Sequence, residues 1–145
     1  MVVSMKTRYG FRFMINLGLK FGKGYTQIKE IAEKENISVK FLEQIASQLK
    51  HAGLIKVERG AKGGYYLSNK PSEINLKDLM ETLEGPLVLV ECRENDVDCE
   101  LKNSCGMTHF WEKLSDHISS FLESMTLEDL VTSYRSKNDE YVYYI

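Results

Sequence analysis

Three cysteines, Cys92, Cys99 and Cys105, fall close together in a chain of 145 residues. An odd number so tightly grouped makes a poor disulfide framework and a better metal site. Thiolates are soft ligands suited to iron–sulfur chemistry or zinc, and the spacing is wider than the paired cysteines of structural zinc knuckles. Glu91, Glu94, Asp96, Asp98 and Glu100 surround the thiols. Negative neighbours raise a thiol's pKa and disfavour adding an electron to an already anionic centre. That predicts a low reduction potential, or sensing by assembly and loss; the plainer alternative is that the acids keep an exposed loop in solution. Cysteine with histidine also raises the possibility of a nucleophilic enzyme. Against it, no cysteine sits at an evident helix N-terminus with basic neighbours, and the acidic loop opposes thiolate formation.

A second set of residues suits nucleic acid. Between Ile37 and Leu49, Lys40, Gln44 and Ser47 share the outer face of a helix whose inner face is Phe41, Leu42, Ile45 and Leu49. Gln44 can make a bidentate contact with adenine, Glu43 can accept from a cytosine amino group, and Lys40 can reach guanine or a phosphate. Ser38 caps this helix and joins the same surface. Beyond it, Glu58-Arg-Gly-Ala-Lys-Gly-Gly64 supplies a glycine-rich loop with Arg59 and Lys62 at its tip. Arg59 suits a narrow minor groove, where negative potential is enhanced. Tyr9, near the start of the first helix, can give its hydroxyl to a phosphate. Singly, each of these is equally well an ordinary solvated side chain, and the loop a purely structural hairpin; their grouping carries the reading.

The elements that must hold these residues follow from periodicity and caps. Ser4 caps a first helix to about Phe21, with Tyr9, Phe13 and Leu17 on its buried face and Gly22-Lys-Gly24 ending it. Thr26 caps a second, with Ile28, Ile31 and Ala32 inward, and Asn36 takes the left-handed turn. Gly53 stops the third. Leu54–Val57 and Tyr65–Leu67 are two short strands. Asn75 and Asp78 open a fourth helix, with Leu76, Leu79, Met80 and Leu83 inward, ended by Gly85-Pro86. Met107, Trp111, Leu114, Ile118, Phe121 and Met125 then repeat like a coiled-coil seam. The seam either packs on its own domain or joins two copies, and a homodimer would let two recognition helices meet a pseudo-palindromic site. Thr126 starts a last short turn through Val131, and Tyr141–Ile145 is β-prone or disordered.

The fold class expected is therefore mainly α: a winged helix-turn-helix with a two-stranded wing, a linker helix and a long C-terminal dimerisation helix. The parts are a DNA-binding domain (1–70), the linker helix (71–86), a cysteine cluster loop (87–106), the dimerisation helix (107–133) and a tail (134–145). Residues 1–70 hold 13 Lys and Arg against 5 Asp and Glu, whereas residues 71–145 hold 6 against 16. This split fits one half on a polyanion such as double-stranded operator DNA and a second half that stays off it. A chance dipole on a soluble protein is the alternative. No apolar run approaches membrane-spanning length and no signal-peptide pattern is seen, so a cytoplasmic protein is the default.

The chain resembles the Rrf2 family of bacterial winged-helix regulators, in particular its IscR-type iron–sulfur branch. The resemblance covers about residues 4–133. It rests on KTRYG at 6–10, ISVKFLEQIASQLKHAGLIKVERGAKGGYYL at 37–67, and the cysteine triplet leading into FWEKLSD at 110–116. It implies a homodimer on operator DNA and an iron–sulfur cluster, of the two-iron, two-sulfur kind, held by Cys92, Cys99 and Cys105. IscR-type members place a histidine three residues after the last cysteine; here that position is Thr108, and His109 follows. His109 serves as fourth ligand if the helix begins late. Some relatives instead use a carboxylate from the partner's first helix, but the matching residue here is Arg8. The alternative is a regulator of the same fold without a cluster, answering to thiol oxidation, a small effector or a protein partner.

Overall fold

The structure is a computed structural model and describes residues 2–93, 99–101 and 103–142. Along the chain run α1 (Met5–Leu19), α2 (Ile28–Glu35), α3 (Val39–His51), β1 (Ile55–Glu58), β2 (Gly64–Leu67), a 3-10 turn (Pro71–Glu73), α4 (Leu76–Glu84), a second turn (Glu91–Arg93), α5 (Thr108–Glu123) and α6 (Leu127–Val142). The expected winged helix-turn-helix is present, followed by three further helices. No helix among the described residues is long and apolar enough to cross a membrane.

One core joins all of it. Phe13, Met14 and Leu17 of α1 are buried with Ile31 of α2, Leu42, Ile45 and Leu49 of α3, Leu79 and Leu83 of α4, and Leu127 and Val131 of α6. Two glycines let α1 take this central place. A Cβ on Gly10 would lie 2.4 Å from Leu83 Cδ1, and one on Gly18 would lie 2.6 Å from Val131 Cγ2. Strands β1 and β2 pair antiparallel, with Ile55 opposite Leu67 and Glu58 opposite Gly64.

Local signals hold closely in the helix-turn-helix. The Ser38 hydroxyl accepts from Phe41 N at 3.2 Å and caps α3, and Asn36 is left-handed at φ 54°. Three expectations change. First, α1 ends at Leu19, where the N–H of Lys20 closes on Leu17 and Gly18. Second, the N-cap position of α2 falls on Gln27 rather than Thr26, and no side chain caps it. Thr26 is instead drawn into a bridge with Tyr65, their N–H groups bonding each other's carbonyls at 2.9 and 2.8 Å, and its side chain is buried. Third, the expected short turn through Val131 is a 16-residue helix, α6. Leu127, Leu130, Val131 and Tyr134 give it a face that packs along α1, so Tyr141 and Val142 are helical and not β-structured; 143–145 lie outside the described residues. Within the region 107–133, α5 ends at Glu123 and α6 starts at Leu127, close to the separate turn expected from Thr126. The break is anchored: Leu76 N bonds Met125 O and Leu127 N bonds Ile74 O, at 3.0 and 2.9 Å, and the Asn75 amide donates to Glu123 O at 2.7 Å.

Candidate DNA-binding surface and cysteine segment

Helix α3 presents two chemically different faces. Leu42, Ile45, Ala46 and Leu49 are buried, while Lys40, Glu43, Gln44 and Ser47 are exposed. Ser38, also exposed, fixes the start of this helix. Tyr9 stands behind it: its ring meets Phe41 edge-on at 5.8 Å, and the Arg12 guanidinium lies 5.7 Å from the ring centre. Tyr9 therefore braces the first turn of α3 as well as carrying a hydroxyl. At the far end, Gln48 donates to Thr82 O of α4 at 2.6 Å, so the linker helix holds α3 from behind. Sequence periodicity gave no sign of that contact, because it spans two elements.

The wing stands beside α3. Arg59 and Lys62 are exposed at its tip. Gly63 allows the loop to fold back, since a Cβ there would lie 2.1 Å from Glu58 O. Gln27 reaches across from the start of α2 to bond Ala61 O at 3.2 Å, tying the loop to the helix-turn-helix. Tyr65 of β2 packs edge-on against Phe13 at 5.7 Å. Burial raises its phenol pKa, and the Glu43 carboxylate adds to the rise. The charge of Glu43 on α3 is thus felt at the wing strand.

The cysteines follow α4 along the chain. Cys92 is in the short Glu91–Arg93 turn and exposed, Cys99 is half-buried, Cys105 is exposed, and all three are free thiols. Glu94, Asp96 and Asp98 fall outside the described residues. Among the described residues no three His, Cys, Asp or Glu side chains are gathered closely enough to hold a metal ion. The donors suit an iron–sulfur centre by type, but they are not preassembled.

Cys105 departs from expectation. It lies just before α5, whose N-cap Met107 offers no capping side chain. The Met107 N–H, then the Thr108 hydroxyl and N–H, hold the Cys105 thiol below its ordinary value, with desolvation opposing. A helix N-terminus stabilises a thiolate. Cys105 thus precedes a helix N-terminus whose amide and hydroxyl groups favour its thiolate, with no basic side chain among the groups that lower its pKa. Thr108 is the first residue of α5, so the helix does not begin late. Its hydroxyl meets the thiol, and the exposed His109 projects about 100° further round the helix.

Helix α5 rests on α4 but leaves an apolar stripe open. Phe110, Leu114 and Phe121 are 50%, 38% and 63% exposed, and Phe110 stacks edge-on with Trp111 at 4.9 Å. Met107 and Met125, expected in the same helical seam, flank the helix rather than belong to it.

The Rrf2 family profile, described as "Iron-dependent Transcriptional regulator", matches residues 3–133. The HTH-type transcriptional regulator CymR of Bacillus subtilis is 39% identical over 145 residues, all of both chains. Its structure, described as that of the global cysteine regulator, aligns with a TM-score of 0.76 over 92% of this chain and 98% of that one. The HTH-type transcriptional regulator IscR of Photorhabdus laumondii is 33% identical over 92% of this chain and 80% of its own. An oxidised form of Staphylococcus aureus CymR, 35% identical, aligns with a TM-score of 0.73 over 90% of this chain and 96% of that one. With the winged helix-turn-helix already in place, the chain belongs to the Rrf2 family of DNA-binding transcriptional regulators.

Proposed function

We propose that the chain acts as a homodimer on double-stranded operator DNA, and that an iron–sulfur cluster on Cys92, Cys99 and Cys105 sets its affinity. The observation that carries this reading is the place of Cys105, three residues before the start of α5, the helix with the uncovered apolar stripe. Two copies joined along Phe110, Leu114 and Phe121 would fix the separation of two α3 helices, and that separation selects half-site spacing. In each copy Lys40, Glu43 and Gln44 face base edges, Ser38 and Tyr9 lie at the phosphate, and Arg59 and Lys62 approach the minor groove. When bound, the cluster would tie three thiolates together and fix the path from α4 to α5. The lowered pKa of Cys105 favours the thiolate form in which it ligates a metal, and the soft donor set supports iron–sulfur over hard cations.

A second reading is favoured by the same thiol. A solvent-exposed, thiolate-prone cysteine is where an oxidant attacks first, and the related S. aureus CymR is known in an oxidised form. The sensor would then be Cys105 itself.

Purification without oxygen, with absorption spectra and iron and sulfide analysis, separates the two. Colour and bound iron with sulfide support the cluster. Colourless protein whose duplex binding changes with peroxide supports the thiol. Failure to prefer selected over scrambled duplexes at low ionic strength would overturn both.

A further inference from the structure

Asn16 is 6% exposed on α1, where α1, the end of α2 and α6 meet. Its amide nitrogen donates to Arg12 O and to Glu35, both at 2.8 Å, and its carbonyl accepts from the Lys34 ammonium at 2.7 Å. One neutral side chain therefore holds a carboxylate and an ammonium in fixed positions. The Glu35 side chain is only 15% exposed, and its contact with Arg12 is long, 3.9 Å. The Lys34 ammonium lies 5.1 Å from the centre of the Tyr134 ring on α6. Arg12, Lys34, Glu35 and Tyr134 line an open cleft of about 410 Å³, completed by Ile15 and Asn36.

We propose that this cleft binds a free α-amino acid. Two cations and one carboxylate line it, and that pattern rejects simpler ions. A lone anion meets Glu35, and a lone cation meets Arg12 and Lys34. A zwitterion answers both: its carboxylate lies between Arg12 and Lys34, its ammonium completes Glu35, and its side chain rests on Ile15 and the Tyr134 ring. The volume is at the lower end of the range for small-molecule sites. Because α2 opens the helix-turn-helix and α6 belongs to the C-terminal part, an occupant bridges the two. This site stands apart from the cysteine segment and does not depend on the reading given for it.

The test uses the full chain without DNA. Each common free α-amino acid is assayed singly by thermal shift and calorimetry, and each binder is compared with its N-acetyl and carboxamide derivatives. At least one free amino acid should bind, and both derivatives should bind about tenfold more weakly or worse. Glu35→Gln, which can still accept from Asn16, should abolish the preference over the N-acetyl form. Arg12→Gln, on a half-exposed side chain, should abolish the preference over the carboxamide and serves if the first variant does not fold. Absence of any binder, or a binder indifferent to both substitutions, would overturn the proposal. Neither result depends on whether the protein binds a duplex.

Discussion

Replacing Gly64 with alanine tests how the wing is fastened to the helix-turn-helix. Gly64 has φ +156°, and its added Cβ would lie 2.5 Å from Thr26 O, 2.7 Å from Thr26 C and 3.1 Å from Gln27 N. All three are backbone atoms, so no flexible side chain can yield. Relief requires Thr26 and Tyr65 to part, which costs their two bonds of 2.8 and 2.9 Å. Two such bonds contribute about 1–3 kcal/mol net, and the backbone strain adds about 1–2 kcal/mol. The expected destabilisation is therefore about 2–5 kcal/mol, a fall in melting temperature of roughly 5–15 °C for a chain of this size. Gly60→Ala is the control: φ is +121° but open space surrounds it, leaving the strain alone. Thermal melts followed by circular dichroism would report stability, and fluorescence anisotropy on a selected duplex, well below the melting temperature, would report the displaced wing. If Gly64→Ala melts within about 2 °C of the parent, or if Gly60→Ala costs more, the steric reasoning is wrong.

Arg59→Ala should weaken specific duplex binding by about 1–3 kcal/mol with little change in melting temperature; unchanged affinity in competition assays would refute the wing's role. Thr108→Val removes one of the groups that lower the Cys105 pKa, so the alkylation-rate profile of Cys105 should move to higher pH, and coincident profiles would count against the helix-start explanation. The Glu84 carboxyl is held below its ordinary 4.5, chiefly by the Thr7 hydroxyl and then by Ser4. The stability this lends is present above that value and lost as pH falls through the lowered one. Glu84→Gln should therefore melt lower than the parent at neutral pH, with the gap closing in acid; a gap that stays constant with pH would reject the assignment. Phe121→Glu, on an exposed position of the α5 stripe, should convert a dimer to a monomer in sedimentation, and an unchanged mass would place the dimer contact elsewhere.

The helix-turn-helix was legible because its signals are local. Ser38 before a run with Leu42, Ile45 and Leu49 at helical spacing, Asn36 at the turn and glycines at the wing each act within a few residues. What escaped depended on distant partners. Thr26 looked like a cap because its bridge to Tyr65 is nearly forty positions away in sequence. The length of α6 is hard to read because a polar run separates Tyr134 from Tyr141, although Leu127, Leu130, Val131 and Tyr134 already give a helical face. The Asn16 hub was invisible because a lone asparagine inside an apolar helix face carries no signal until Lys34 and Glu35 are brought to it. At the candidate site, the types of the donors were readable. The influence of the Met107 and Thr108 donors on Cys105 was not, because the boundary of α5 had to be known first.

The central claim is that a basic winged helix-turn-helix grips a duplex and that the thiols of one segment adjust that grip. The most direct measurement is duplex affinity against salt concentration, taken without oxygen for the parent and for Cys92→Ser, Cys99→Ser, Cys105→Ser combined. The account predicts a steep fall of affinity with salt in both, from phosphate contacts made by the same basic surface, and a clear offset between the two lines on the selected duplex. Superimposed lines would contradict control by the thiols, and affinity indifferent to salt would contradict the DNA surface itself.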